Sequence, residues 1–173
     1  MSDVFDQSRD AARAAISVGG TTQQFLTFTV GEEEYGVDIM TVREIKGWTD
    51  TTRLPNTPDY MRGVMNLRGL IIPIFDLRAR FTGELTNATP KHVTIVLAAG
   101  DRTVSILADT VSDILTVGSN EVKPAPEVET TVDQRYVTGL IAVEQRMVVI
   151  LDIEKLLGKS MDHLDVSESE IHH

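Results

Sequence analysis

The chain has 173 residues, 16 Lys plus Arg against 26 Asp plus Glu, and no cysteine. The missing cysteine excludes disulfides, thiolate metal sites and a cysteine nucleophile, and fits a reducing compartment. The net charge of −10 excludes a general nucleic-acid binder, whose phosphate contacts need a basic face, and favours basic or locally complementary partners.

The length suits one domain, or two small lobes sharing a core, and buries roughly 70% of the unfolded surface without a metal or disulfide staple. No apolar run approaches the ~18 residues of a bilayer span, and Met1–Gly20 lacks the apolar core of a secretory signal, so a soluble protein is expected. Val, Thr and Ile together make up 51 residues, a β-branched excess that favours pleated sheet. Aromatic residues are 5%, too few for a base-stacking platform.

In chain order, residues 1–22 mix acids, arginines, Ala and Gly without a sustained apolar face and read as a mobile arm, with a transient helical turn at Ala11–Ile16. Gln24–Val30 and Glu34–Ile39 read as a hairpin around a polar turn. In Met40–Lys46 the three-residue spacing of Val42 and Ile45 suggests one or two helical turns closed by Gly47. A short strand is expected at Thr49–Leu54, then a turn forced by Pro55 and Pro58. Gly63–Leu67 and Leu70–Phe75 form a second hairpin with Arg68-Gly69 at its turn. Asp76 is placed to cap a short helix, Leu77–Phe81, before a loop over 82–91.

His92–Ala98 and Arg102–Ala108 make a third hairpin, and Val111 with Ile114 repeat the helical spacing. A Pro- and acid-rich loop, Pro124–Asp133, precedes a fourth hairpin, Val137–Val143 with Arg146–Leu151. Asp152 then caps Ile153–Leu157, which Gly158 closes. Residues 161–173 are an acidic tail, and the terminal His172 and His173 are assigned no ligand role.

The chain repeats itself. Tyr60, Gly63, Leu67, Ile71, Ile74, Asp76, Leu77 and Phe81 face Tyr136, Gly139, Val143, Met147, Ile150, Asp152, Ile153 and Leu157 at an offset of 76. Leu26, Phe28, Val37, Val42, Ile45 and Pro55 face Ile95, Leu97, Ile106, Val111, Ile114 and Pro124 at an offset of 69. The difference, 76 − 69 = 7, puts a seven-residue insertion in the Pro124–Asp133 loop. Two similar β lobes follow, each too small to stand alone, packed along a seam.

The residues carry no recognisable catalytic set. His92 and His163 lack a nucleophile or metal partner at a known spacing, and no glycine-rich phosphate loop is present. Asp109 and Asp113, four apart, read as a solvated helix face. One constellation stands out: Asn66-Leu67-Arg68-Gly69 between apolar strands. Asn and Gly there serve the turn. Arg68, however, presents a five-donor fork on a short rigid tip, for which Glu44 is the expected partner.

The runs EEYGVDIMTVREIKG (Glu33–Gly47), NTPDYMRGVMNLRGLIIPIFDLR (Asn56–Arg78) and TGLIAVEQRMVVILDIEKLL (Thr138–Leu157) resemble the CheW family over about residues 23–160. The resemblance implies a mainly β fold of two intertwined, five-stranded, SH3-like barrel lobes with short helices. It implies a non-enzymatic chemotaxis adaptor in the cytoplasm, recruited to membrane receptor arrays without inserting in the bilayer. Its partners would be the cytoplasmic tip of methyl-accepting chemoreceptors and the regulatory domain of the histidine kinase CheA, with no cofactor, metal or nucleic acid. Ile39, Val42, Gly63 and Arg68 would be receptor-binding, with Glu44 and Arg68 as an orienting ion pair. The kinase-contact residues stay unassigned, the Val93–Val96 region of the second lobe's surface being one candidate. The alternatives are the same fold in a parallel signalling pathway and a small β-barrel enzyme; chain length disfavours a fragment of CheA or of a receiver-bearing CheV-type protein.

Overall fold

A computed structural model of the chain describes residues 21–124 and 134–158. The first strand shows how the elements arise. In β1 (Thr22–Val30) the alternate residues Leu26, Phe28 and Val30 face one apolar cluster, while Phe25 faces another. A strand buried on both faces belongs between two layers, and the rest of the chain supplies them.

Four hairpins follow the expected pattern. They are β1 with β2 (Glu33–Asp38), β4 (Met61–Leu67) with β5 (Leu70–Asp76), β6 (Val93–Ala99) with β7 (Arg102–Ala108), and β9 (Val137–Val143) with β10 (Arg146–Leu151). β1 begins at Thr22, one residue inside the span read as the arm; residues 1–20 of that arm, the acidic tail and residues 125–133 lie outside the described residues.

Two segments read as helical are strands. After a 3-10 turn at Ile39–Thr41, the chain runs as β3 (Val42–Gly47), and Thr110–Gly118 is β8. The helical spacing has a physical origin. A β-bulge interrupts each pairing, between Val42 and Glu44 in β3 and between Thr27 and Phe28 opposite β8. The extra residue shifts the alternation by one, so residues three apart return to the same face. Val111 and Ile114 accordingly both pack on the main core from an extended strand. Asp109 and Asp113 share no helix face, since Asp113 lies within β8 and Asp109 at its start. The expected strand at Thr49–Leu54 reduces to a single bridge between Thr52 and Val64.

The strands form two five-stranded sheets, β8-β1-β2-β10-β9 and β3-β6-β7-β5-β4. Each sheet takes two strands from one repeat and three from the other, so the repeats are exchanged between the lobes rather than forming one lobe each. The repeat mapping carries one order onto the other strand for strand. It also carries the parallel pair Ile150–Gly36 onto Ile74–Ser105. In each lobe a bridge, Thr52–Val64 or Lys123–Leu140, joins the chain beyond one edge strand to the opposite edge. The largest core fills the seam: Leu26, Phe28 and Val37 from one sheet meet Ile95, Ile106 and Phe75 from the other. Smaller clusters occupy the interiors, around Phe25, Ile141 and Ile150 in one lobe and Trp48, Ile74 and Leu107 in the other.

The repeated Tyr, Gly and Asp each have a structural role. The amide of Asp76 donates to the Tyr60 carbonyl at 2.6 Å, and that of Asp152 to the Tyr136 carbonyl at 2.9 Å. Both aspartates accept from a backbone amide three residues on, Ala79 and Lys155, and so cap α1 (Leu77–Thr82) and α2 (153–158). A Cβ built on Gly63 would fall 2.4 Å from the Thr52 carbonyl oxygen, and one on Gly139 2.9 Å from that of Lys123. Only glycine lets those bridges close. Between the two tyrosines lies Arg80, its guanidinium 5.3 Å from the Tyr60 ring and 5.1 Å from the Tyr136 ring.

Candidate functional site

The β4–β5 hairpin turns through two residues with positive φ, Arg68 at 52° and Gly69 at 87°. This is the pattern of a type I′ turn, and Asn66 Oδ1 braces it by accepting from the Gly69 amide at 2.8 Å. The tip holds Arg68 out in solvent, 77% exposed at the side chain. Its Nη1 donates to Glu44 Oε2 at 3.1 Å and its Nη2 to Oε1 at 3.3 Å. Glu44 sits on β3, not on a helical turn, and is half-buried. Because β3 and β4 are opposite ends of their sheet, this two-pronged pair spans the gap between the two edges. Exposed, it contributes only ~0–1 kcal/mol to stability. Its chemical capacity is to offer a fixed guanidinium, with donors to spare, to a carboxylate on another surface.

Ile39 opens the 3-10 turn and Val42 follows it; Asp38 caps its start by accepting from the Met40 amide at 2.9 Å. Both are half-buried and pack on the seam core, so each shows only part of its side chain to a partner. Beside them Met40 is 77% exposed and Ile45 38% exposed. Leu70 and Ile71, next to Arg68, are each 52% exposed, and so is Met147, the repeat partner of Ile71. The structure therefore places Val42 and the exposed Ile45, Leu70 and Ile71 on the sheet that carries Arg68, while Ile39 and Met40 lie on the turn that enters it. Gly63 is different: it is buried beneath Thr52, with φ at 142°, and offers no surface of its own. The Val93–Val96 segment is likewise not a surface. It lies in β6, between β3 and β7, with Thr94, Ile95 and Val96 buried.

Two polar hubs escaped the sequence reading. Asp76 is fully buried and does more than cap a helix: it accepts from the Thr86 amide at 2.7 Å, the Thr86 hydroxyl at 2.8 Å and Arg62 Nη1 at 3.2 Å. The Arg62 guanidinium lies 5.2 Å from the Trp48 ring centre. Asp109 accepts from Arg78 Nη1 at 3.1 Å and Nη2 at 2.6 Å and from the Gly31 amide at 2.8 Å; His92 Nε2 is 3.4 Å away. Partial burial alone would raise the Asp109 carboxyl, but the Arg78 fork, the Gly31 amide and His92 outweigh it and hold the group below the usual carboxylate range. The same fork pushes Arg78 up. The only sequence signal was the Asp-Leu-Arg run, because the partners are 10 to 78 residues apart. Among the described residues no cluster of His, Cys, Asp and Glu has the makings of a metal site, and no helix is long and apolar enough to cross a membrane.

A family profile described as the CheW-like domain matches residues 24–161. A chemotaxis protein CheW from Klebsiella aerogenes is 49% identical over 136 residues, covering 79% of this chain and 82% of that protein. A CheW from Rhizobium meliloti is 39% identical over 134 residues, covering 78% and 86%. Among solved structures, the crystal structure of the scaffolding protein TtCheW from Thermoanaerobacter tengcongensis matches with a TM-score of 0.72 at 29% identity, covering 79% of this chain and 88% of that one.

Proposed function

This chain belongs to the CheW family of chemotaxis scaffold proteins, and on that premise we propose that it couples methyl-accepting chemoreceptors to the histidine kinase CheA without turning over a substrate. The observation that carries the reading is the family match over residues 24–161. Receptor tips are helical hairpins, and helices dock through apolar anchors set in a groove. Ile39 and Val42, with the exposed Met40 beside them, supply anchors, and Arg68, held by Glu44, supplies the charge that fixes register. Gly63 acts indirectly, by letting β4 close against Thr52. The kinase regulatory domain shares this fold, so like ends can meet in a pseudo-symmetric contact. The exposed Leu70, Ile71 and Met147 at the two hairpin ends are the apolar groups suited to it. The working location is then the cytoplasmic face of the membrane, reached through receptors.

The test is reconstitution of a receptor cytoplasmic fragment with CheA, measuring kinase autophosphorylation with and without this chain. Receptor control of the kinase should appear only when the chain is added. Identical kinase activity in both mixtures would sink the adaptor reading.

A further inference from the structure

The β4–β5 tip has a counterpart in the other lobe, the β9–β10 tip, where the paired Val143 and Arg146 stand in the places of Leu67 and Leu70. Glu144 takes a φ of 56° in the place of Arg68, whose φ is 52°. Glu44, opposite Val96 in the β3–β6 pairing, has its counterpart in Asp113, opposite Thr27 in the β8–β1 pairing. Each sheet thus carries a tip residue of positive φ at one edge and an acid on the strand at the other edge. The side chains make the two unlike. Arg68 reaches Glu44 with both Nη atoms, at 3.1 and 3.3 Å, whereas Glu144 and Asp113 are two acids that cannot pair in this way.

A further difference lies two residues before each tip residue. Asn66 Oδ1 accepts from the Gly69 amide at 2.8 Å and so closes a ring over Leu67 and Arg68. Ala142 stands in the place of Asn66 and has no side-chain acceptor, and Gln145 stands in the place of Gly69. Glu144 therefore reaches its positive φ without such a brace, so a turn of this kind does not depend on one. Asn66 is itself exposed and supports no core. Its brace is found where the tip carries the arginine and its ion pair. At 77% exposure the Arg68 side chain has little packing to hold it, and its direction depends on the backbone beneath it.

From this we infer that Asn66 is a positioning residue for receptor docking: by tying down the Gly69 amide it holds Arg68 in the pose that spans to Glu44, so that the guanidinium meets a receptor carboxylate already ordered. A long exposed side chain loses rotamer freedom when a partner captures it, and ordering it beforehand removes that cost from binding. The inference rests on the receptor role proposed for Arg68; the ordering of Arg68 by Asn66 can be read without any receptor.

The test uses the full chain and two readouts. The first is side-chain order: in the nitrogen-labelled protein without receptor, the Arg68 Nε–H relaxation should report a held side chain. Asn66→Ala should release it, and Asn66→Asp should keep it, because a carboxylate oxygen accepts the Gly69 amide as the Asn66 oxygen does. The second is calorimetry with a receptor cytoplasmic fragment. Asn66→Ala should weaken binding about fivefold, the worth of one hydrogen bond, in the parent chain. In an Arg68→Ala background it should have no further effect, since there is no arginine left to position. An equal loss in both backgrounds would assign Asn66 a structural role only and overturn the proposal. So would an Arg68 side chain that stays equally ordered in Asn66→Ala. Undiminished receptor binding by Arg68→Ala, with Arg68 order still governed by Asn66, would count against the receptor role of Arg68 and leave the ordering intact.

Discussion

Replacing Gly63 by alanine separates the two roles that a residue of the proposed receptor-binding set can have. The glycine has φ of 142°, a region nearly closed to side chains, and its Cβ would lie 2.4 Å from the Thr52 carbonyl oxygen and 2.8 Å from the carbonyl carbon. Backbone cannot yield as a flexible side chain can. The Thr52–Val64 bridge must open, losing hydrogen bonds of 2.9 Å and 3.4 Å. Two such bonds are worth about 1 kcal/mol each, and the forced conformation adds about 1–2 kcal/mol. The expected loss is about 3 kcal/mol, which for a domain of this size lowers the melting temperature by about 10 °C. Urea unfolding followed by circular dichroism measures it. Gly69→Ala is the control: its φ of 87° is strained, but nothing lies within 4 Å, so only about 1 kcal/mol should be lost. Receptor binding by Gly63→Ala, measured well below its melting temperature, should fall in step with the unfolding of the β4 edge. A Gly63→Ala protein within 0.5 kcal/mol of the parent would refute the close-approach argument, the threshold being the spread of ordinary surface substitutions, about 0.5 kcal/mol.

Arg68→Ala should leave the melting temperature within about 1 °C, because an exposed pair contributes ~0–1 kcal/mol, yet weaken binding of a receptor fragment at least tenfold by calorimetry; undiminished affinity would reduce Arg68 to a solvated turn charge. Val42→Asp puts a carboxylate against the seam core and should cost about 1–3 kcal/mol in urea while the room-temperature circular dichroism spectrum persists and receptor binding is lost. Asp109 has a folded-state pKa below its unfolded value, so its stabilisation is present above the unfolded value and lost as pH falls through the folded one. Asp109→Asn should therefore cost about 1 kcal/mol at neutral pH, discounted for solvent screening, and flatten the acid limb of a stability-against-pH curve measured below pH ~4. An unchanged acid limb would show that Asp109 is not the group that titrates there.

Local pattern carried far in this chain because eight of its ten described strands pair in hairpins with a neighbour in sequence. The four hairpins, the helix-capping Asp76 and Asp152 and the strand spacing are all short-range properties, readable from turn residues and alternation. The repeat extended that reading to long range, since equal sequences in equal places must fold alike. The motif around Arg68 was also legible, because a two-residue turn leaves its side chain nowhere but outward.

Tertiary structure decided what depends on pairing across the chain. The spacing of Val111 and Ile114 fits a helix and a bulged strand equally well, and only the partner strand β1 selects between them. The exchange of strands between lobes is invisible to a repeat, because offsets of 69 and 76 residues are the same whether each copy folds on itself or crosses over. The burial of Gly63 follows from where Thr52 returns, and the hub at Asp76 from where Thr86 returns. Above all, two halves alike in backbone were made unlike by a few side chains. Arg62 reaches the buried Asp76 from its bulge and Thr138 occupies the same bulge in the other sheet, a difference that acquires meaning only once strand pairing places each residue.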